Sequence, residues 1–145
     1  MGRSQDLAKV LQAPLITNNN NFGSSASLPS SVDLSQYFPP IGNQGNYGTC
    51  AAWATGYYCK SVINAIDLNL NSSQLSSPSY QFSPKDLFTS IVDSKKGSNC
   101  SGTQISTAME QMMTRGIASL QTVPYDNLGD CSSSGVQPTW TNEAS

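Results

Sequence analysis

One run of thirteen residues constrains this chain more than any other: Gly42-Asn43-Gln44-Gly45-Asn46-Tyr47-Gly48-Thr49-Cys50-Ala51-Ala52-Trp53-Ala54. Gly42, Gly45 and Gly48 break the backbone three times in seven positions, which suits a loop that turns sharply and lies close against something else. From Cys50 onward the residues favour a helix, with Ala51, Ala52 and Ala54 as strong formers. The pattern predicts a thiol at a helix N-terminus, where unpaired N–H groups and the positive end of the helix dipole favour the thiolate. Gln44, six residues earlier, carries an amide able to donate a hydrogen bond. A thiolate with an amide donor beside it meets two needs of acyl transfer: a nucleophile, and a donor for the oxyanion formed when it attacks a carbonyl. The plainer alternative is a buried helix cysteine beside a Gly-rich turn.

The sequence Asn43-Gln44-Gly45, two further residues, Gly48-Thr49-Cys50 and then Trp53 resembles the active-site loop of papain-like cysteine peptidases. The resemblance implies an α+β, papain-like fold, with this chain mainly the helical left-hand domain and the second, β-rich domain largely missing. It makes Cys50 the nucleophile and Gln44 the oxyanion-hole glutamine. Tyr47 stands where the family usually has a cysteine, and Ala51 where it usually has tryptophan. Further matches are Leu28-Pro29 followed by Asp33, which resembles the start of the mature domain, and Phe82 to Ser90, which resembles its second helix. Asn99-Cys100-Ser101-Gly102-Thr103 resembles the segment that lines the substrate cleft, and Val123-Pro124-Tyr125 the one that comes after the next helix. On this match Gly48, Gly102, Thr103 and Ile105 are substrate-binding: Gly102 and Thr103 offer backbone groups to an extended peptide, the Thr103 side chain crowds that edge, and Ile105 reaches the pocket for the second substrate residue. Cys100 and Cys131 lack their usual family partners, at Tyr47 and Ser90, so the resemblance implies a disulfide between the two orphans.

The rest of the chain reads as helices joined by polar loops. Residues 5–13 suggest a short helix stopped by Pro14, and residues 17–31 a small, polar linker. Residues 1–27 are either a pro-segment remnant or a disordered tail, residues 28–131 the catalytic domain, and residues 132–145 a polar tail or a cleaved interdomain loop. A helix is expected from Cys50 to about Leu68, with Trp53, Tyr57, Ile63 and Ile66 or Leu70 on its buried face and Gly56 packed closely against another backbone. Residues 69–79 read as a loop. Ser83, Pro84 and Asp86 make a helix start. Leu87, Phe88, Ile91 and Val92 then form the apolar face of an element ended by Gly97. Residues 104–115 are the clearest helix, with Ile105, Ala108, Met109, Met112 and Met113 along its core face and Gly116 as the stop.

Composition excludes several functions. Net charge is −2 with no basic cluster, so nucleic-acid binding has no electrostatic footprint. No apolar run reaches the length of a membrane span. The four cysteines form no Cys-x-x-Cys pair and the chain has no histidine, which argues against a zinc site; no metal or organic cofactor is expected. Only 11% of residues are charged, a leaning towards a secreted, periplasmic or cell-surface protein.

The absent histidine also removes the base that a cysteine peptidase needs. Three explanations compete. A second polypeptide chain carries the catalytic His and Asn, this chain being cut in its exposed polar terminal stretch. Alternatively, the sequence is a shortened form of the same enzyme. The third explanation is a non-catalytic module that binds a peptide or an inhibitor, although such a binder needs neither Gln44 nor Cys50. A transglutaminase or other cysteine-based acyl transferase is a further alternative.

Overall fold

The computed structural model describes residues 29–144. The expected helix over residues 5–13, the pro-segment reading of residues 1–27 and Leu28 lie outside them. Five helices carry the described residues: α1, a composite of Cys50–Ala52, Trp53–Lys60 and Ser61–Asp67; α2, Ser72–Leu75; α3, Pro84–Ser90; α4, Ile105–Arg115; and α5, Pro138–Glu143. Short 3-10 turns occur at Ser35–Tyr37, Pro78–Tyr80, Asp93–Lys95 and Ser133–Gly135. The β layer of the α+β expectation is not among the described residues: they contain two isolated antiparallel bridges, Phe82 with Ser119 and Lys96 with Thr103.

Helix α1 departs from the expected α register. Its middle section, Trp53–Lys60, has the wide turns of a π-helix. Within it the Thr55 hydroxyl donates to the Ala51 carbonyl at 2.8 Å, competing with the backbone ladder at the point where the turns widen. The widening rotates the remainder of the helix. Trp53 and Tyr57 are buried as expected, but the buried residues of the last section are Ser61 and Ala65, while Ile63 and Ile66 are exposed. Gly56 does pack closely, though against side chains: a Cβ there would lie 2.7 Å from Ile117 Cδ1 and 3.0 Å from Leu87 Cδ2.

The core sits where α1, α3 and α4 meet. Ala51, Ala52, Leu87, Phe88, Ile91, Ala108, Ile117 and Leu128 fill it together with the Cys100–Cys131 pair. A smaller cluster of Ala65, Leu70 and Leu75, with Tyr37 and Tyr80 against it, seats α2. The supposed loop over residues 69–79 thus contains a helix, started by a capping box in which Asn71 Oδ1 accepts from Gln74 N–H and Gln74 Oε1 accepts from Asn71 N–H, both at 3.0 Å.

Helix α3 begins as the sequence indicates, with Pro84 at its first position and Ser83 Oγ accepting from Asp86 N–H at 3.1 Å. It ends at Ser90, well before Gly97, and Val92 is exposed rather than part of the core face. Asp86 has an unexpected role. It is fully buried, takes a two-pronged contact from Arg115 at 2.9 Å on each oxygen, and accepts from Ala118 N–H at 2.8 Å. One carboxylate therefore ties α3 to the end of α4 and to the strand-like segment after Gly116, which takes φ +83° and closes α4 by donating to the Met112 carbonyl.

Only part of the expected apolar stripe on α4 is core. Ala108 is buried and Met112 packs on the core, but Met113 is 83% exposed and Met109 and Ile105 lie at the surface. The segment read as a polar tail or a cleaved interdomain loop is folded back over residues 132–144. Asp93 accepts from Ser133 N–H at 2.8 Å and from the Ser132 hydroxyl at 3.1 Å. Mainly through the Ser133 bond, its carboxyl is held below the usual 3.8. Trp140 of α5 lies under the Lys85 ammonium, 5.9 Å from Nζ to ring centre.

Candidate active site

Cys50 is the first residue of α1, free and half-buried. Cys59, the other free cysteine, lies in the wide-turned section of the same helix. Among the described residues no helix is long and apolar enough to cross a membrane, and no cluster of potential metal ligands forms.

The loop before Cys50 is built on close approaches and one turn that favour glycine. A Cβ at Gly42 would land in the Trp53 ring. Gly45 takes φ +62° while its N–H bonds Asn43 Oδ1 at 2.8 Å, a turn closed by the asparagine side chain. A Cβ at Gly48 would lie 2.6 Å from the Cys100 carbonyl oxygen and 2.9 Å from Gly102 N, backbone against backbone. In the space that this leaves, Gly48 N–H bonds the Cys100 carbonyl at 2.7 Å.

The Gln44 amide donates from Nε2 to the Tyr47 carbonyl at 2.6 Å. A primary amide has two N–H donors, so this bond holds the side chain across the loop and leaves one donor to spare. Thr49, between loop and helix, is fully buried. It occupies the cap position of α1 but makes no side-chain cap. Its hydroxyl is 2.6 Å from the hydroxyl of Tyr125, which donates to the Gln44 carbonyl at 3.0 Å. A phenol has one hydrogen, so Thr49 is the donor in the first of these bonds.

Aromatic rings back the site. Trp53 meets Tyr125 edge-on at 4.8 Å and Tyr57 at 4.7 Å between ring centres, and Tyr47 meets Tyr125 edge-on at 6.5 Å. Tyr57 donates to the Pro40 carbonyl at 2.7 Å, and Tyr58 accepts from Gly42 N–H at 3.2 Å. Burial, helped by the neighbouring Tyr58, pushes the Tyr57 hydroxyl up to about 12. It therefore stays protonated, and remains a donor, across the working range of a protein. The Trp53 indole N–H is buried without an acceptor.

The sequence-predicted residues divide by placement. Gln44, Gly48 and Cys50 belong to one loop–helix junction, and Gly102 lies against Gly48. Cys100 and Cys131 are disulfide-bonded, with Cα atoms 5.3 Å apart. The Thr103 side chain is buried and donates to the Lys95 carbonyl at 2.9 Å, so it does not crowd a peptide edge as the sequence suggested. Gly102 is buried too, and its carbonyl accepts from Gly97 N–H at 2.7 Å. Ile105 is 40% exposed at the start of α4. Sequence reasoning missed Thr49 and Tyr125 as members of the junction. The bonds of Tyr125 span 76 and 81 residues, and no local pattern signals a contact of that range. Set beside known proteins, the chain finds no match: no family model, no curated protein and no solved structure corresponds to it.

Proposed function

We propose that the chain is the nucleophile-bearing part of a cysteine endopeptidase that hydrolyses peptide bonds through Cys50. The observation that carries this reading is the junction itself: a free, half-buried thiol on the first residue of α1, preceded by a loop that fixes Gln44 with one amide donor unspent. Cys50 Sγ attacks the scissile carbonyl carbon, and the carbonyl electron pair moves to oxygen. Gln44 Nε2–H and the Cys50 N–H receive that oxyanion. The leaving amine takes a proton and departs, and water then releases the acyl group from sulfur. The 145 residues contain no histidine, so the imidazole that moves these protons comes from outside them, on a second polypeptide or on a further segment of the same enzyme, together with the asparagine that orients it. Gly48 and Ile105 border the peptide, and the buried Gly102 supports the Gly48 backbone from behind. No cofactor or metal takes part. The disulfide suits a secreted, periplasmic or cell-surface setting.

The absence of histidine favours a second reading, a papain-like module that holds a peptide or an inhibitor without cutting it. Intact-mass measurement of denatured native material, followed by assay of Cys50→Ala, separates the two. The peptidase reading expects histidine on a second polypeptide or on a longer form of this chain, and loss of peptide cleavage in the alanine variant, with an unchanged circular-dichroism spectrum. Cleavage at the parent rate by Cys50→Ala rejects the nucleophile. A single polypeptide of this chain's mass without cleavage leaves the binding module and the shortened form of the enzyme.

A further inference from the structure

The geometry points to Tyr125 as a positioning residue for the oxyanion pocket, an inference that rests on reading Cys50 and Gln44 as a peptidase pair. Its hydroxyl joins the backbone of the amide donor to the residue preceding the nucleophile: it donates to the Gln44 carbonyl at 3.0 Å and accepts from Thr49 at 2.6 Å. The Thr49 hydroxyl is thereby drawn away from the cap position, and the first turn of α1 keeps its N–H groups free of a side-chain cap beside Cys50. The phenol is itself fixed. Trp53 and Tyr47 hold its ring edge-on, and the Ser83 hydroxyl donates to the Val123 carbonyl two residues earlier at 2.7 Å. Tyr125 therefore sets the distance between Gln44 and the Cys50 N–H, on which the grip on an oxyanion depends. It touches neither substrate nor sulfur in this role.

The test uses the full chain and two probes. An N-acetyl dipeptide aldehyde adds to Cys50: an S–C bond forms, the thiol proton goes to the aldehyde oxygen, and that oxygen occupies the pocket. Iodoacetamide alkylates the thiol by displacing iodide and makes no oxyanion, so it reads access alone; peptide mapping separates Cys50 from Cys59. Tyr125→Phe keeps the ring packing and removes the hydroxyl. It is expected to weaken aldehyde binding about tenfold, with Cys50 alkylation within about twofold of the parent. Thr49→Val should produce a similar loss, and the double variant little more than either alone. Unchanged aldehyde affinity in Tyr125→Phe overturns the assignment, as does an equal fall with both probes, which would mark a general loosening. If the chain, assayed together with the polypeptide or segment that supplies the histidine, is alkylated at Cys50 yet takes no aldehyde, the peptidase reading itself fails and this inference falls with it.

Discussion

At Gly48 there is no room for a side chain. The Cβ of an alanine would sit 2.6 Å from the Cys100 carbonyl oxygen and 2.7 Å from the Ser101 carbonyl carbon, and backbone cannot swing away as a side chain can. Gly48→Ala should therefore cost about 2 kcal/mol and break the Gly48–Cys100 hydrogen bond. Urea denaturation checks the cost, and a variant as stable as the parent would show that the two loops part easily. That the three glycines mark a sharp turn and close approaches was legible in the sequence, because glycine is the residue that tolerates both; the structure gives the turn to Gly45 and the approaches to Gly42 and Gly48. What each approaches was not: Trp53 lies across Gly42, whereas Gly48 meets main chain some fifty residues further on. The same limit hid Thr49. A threonine before a helix reads as a cap, and only the fold brings a tyrosine hydroxyl close enough to engage it instead.

At the scale of elements, start signals were more legible than faces. Ser83-Pro84 and Gly116 mark ends that the structure keeps, because caps and stops are set by a few adjacent residues. Faces depend on register, and the wide turns of α1 shift it, exposing Ile63 and Ile66 in place of Ser61 and Ala65. The Asp86–Arg115 pair escaped notice for another reason: an acidic residue in a first turn is favourable at the surface, so nothing local marked it as buried. Its burial makes the pair consequential. Arg115→Met would leave the Asp86 carboxylate enclosed with the Ala118 N–H as its remaining partner, and should cost about 3 kcal/mol. A urea midpoint matching the parent would show that the carboxyl finds another way to neutralise its charge.

Over the whole molecule, the Cys100–Cys131 bond closes a span of 31 residues that includes all of α4. A cross-link of that span removes unfolded-state freedom worth about 3.5 kcal/mol, which Cys100→Ser with Cys131→Ser should forfeit. Because Gly48 N–H is bonded to the Cys100 carbonyl, the loss should also reach the nucleophile loop, as faster hydrogen exchange at the Gly48 amide. Exchange at the parent rate would confine the disulfide to its own segment. The helical character of the described residues was legible from periodicity and caps, while the folded-back course of residues 132–144 was not, since Asp93 secures it through backbone and hydroxyl bonds instead of apolar side chains. The ring cluster behind Cys50 has an optical consequence. Trp53 stands within 5 Å of the ring centres of Tyr57 and Tyr125 and beneath Gly42. Its emission and the near-ultraviolet dichroism of the cluster therefore report on the loop from within, whereas Trp140, paired with Lys85, reports on α5. The molecule thus carries one indole beside the junction and one in its terminal helix, and selective replacement of Trp140 would leave an intrinsic probe of the candidate site that needs no label.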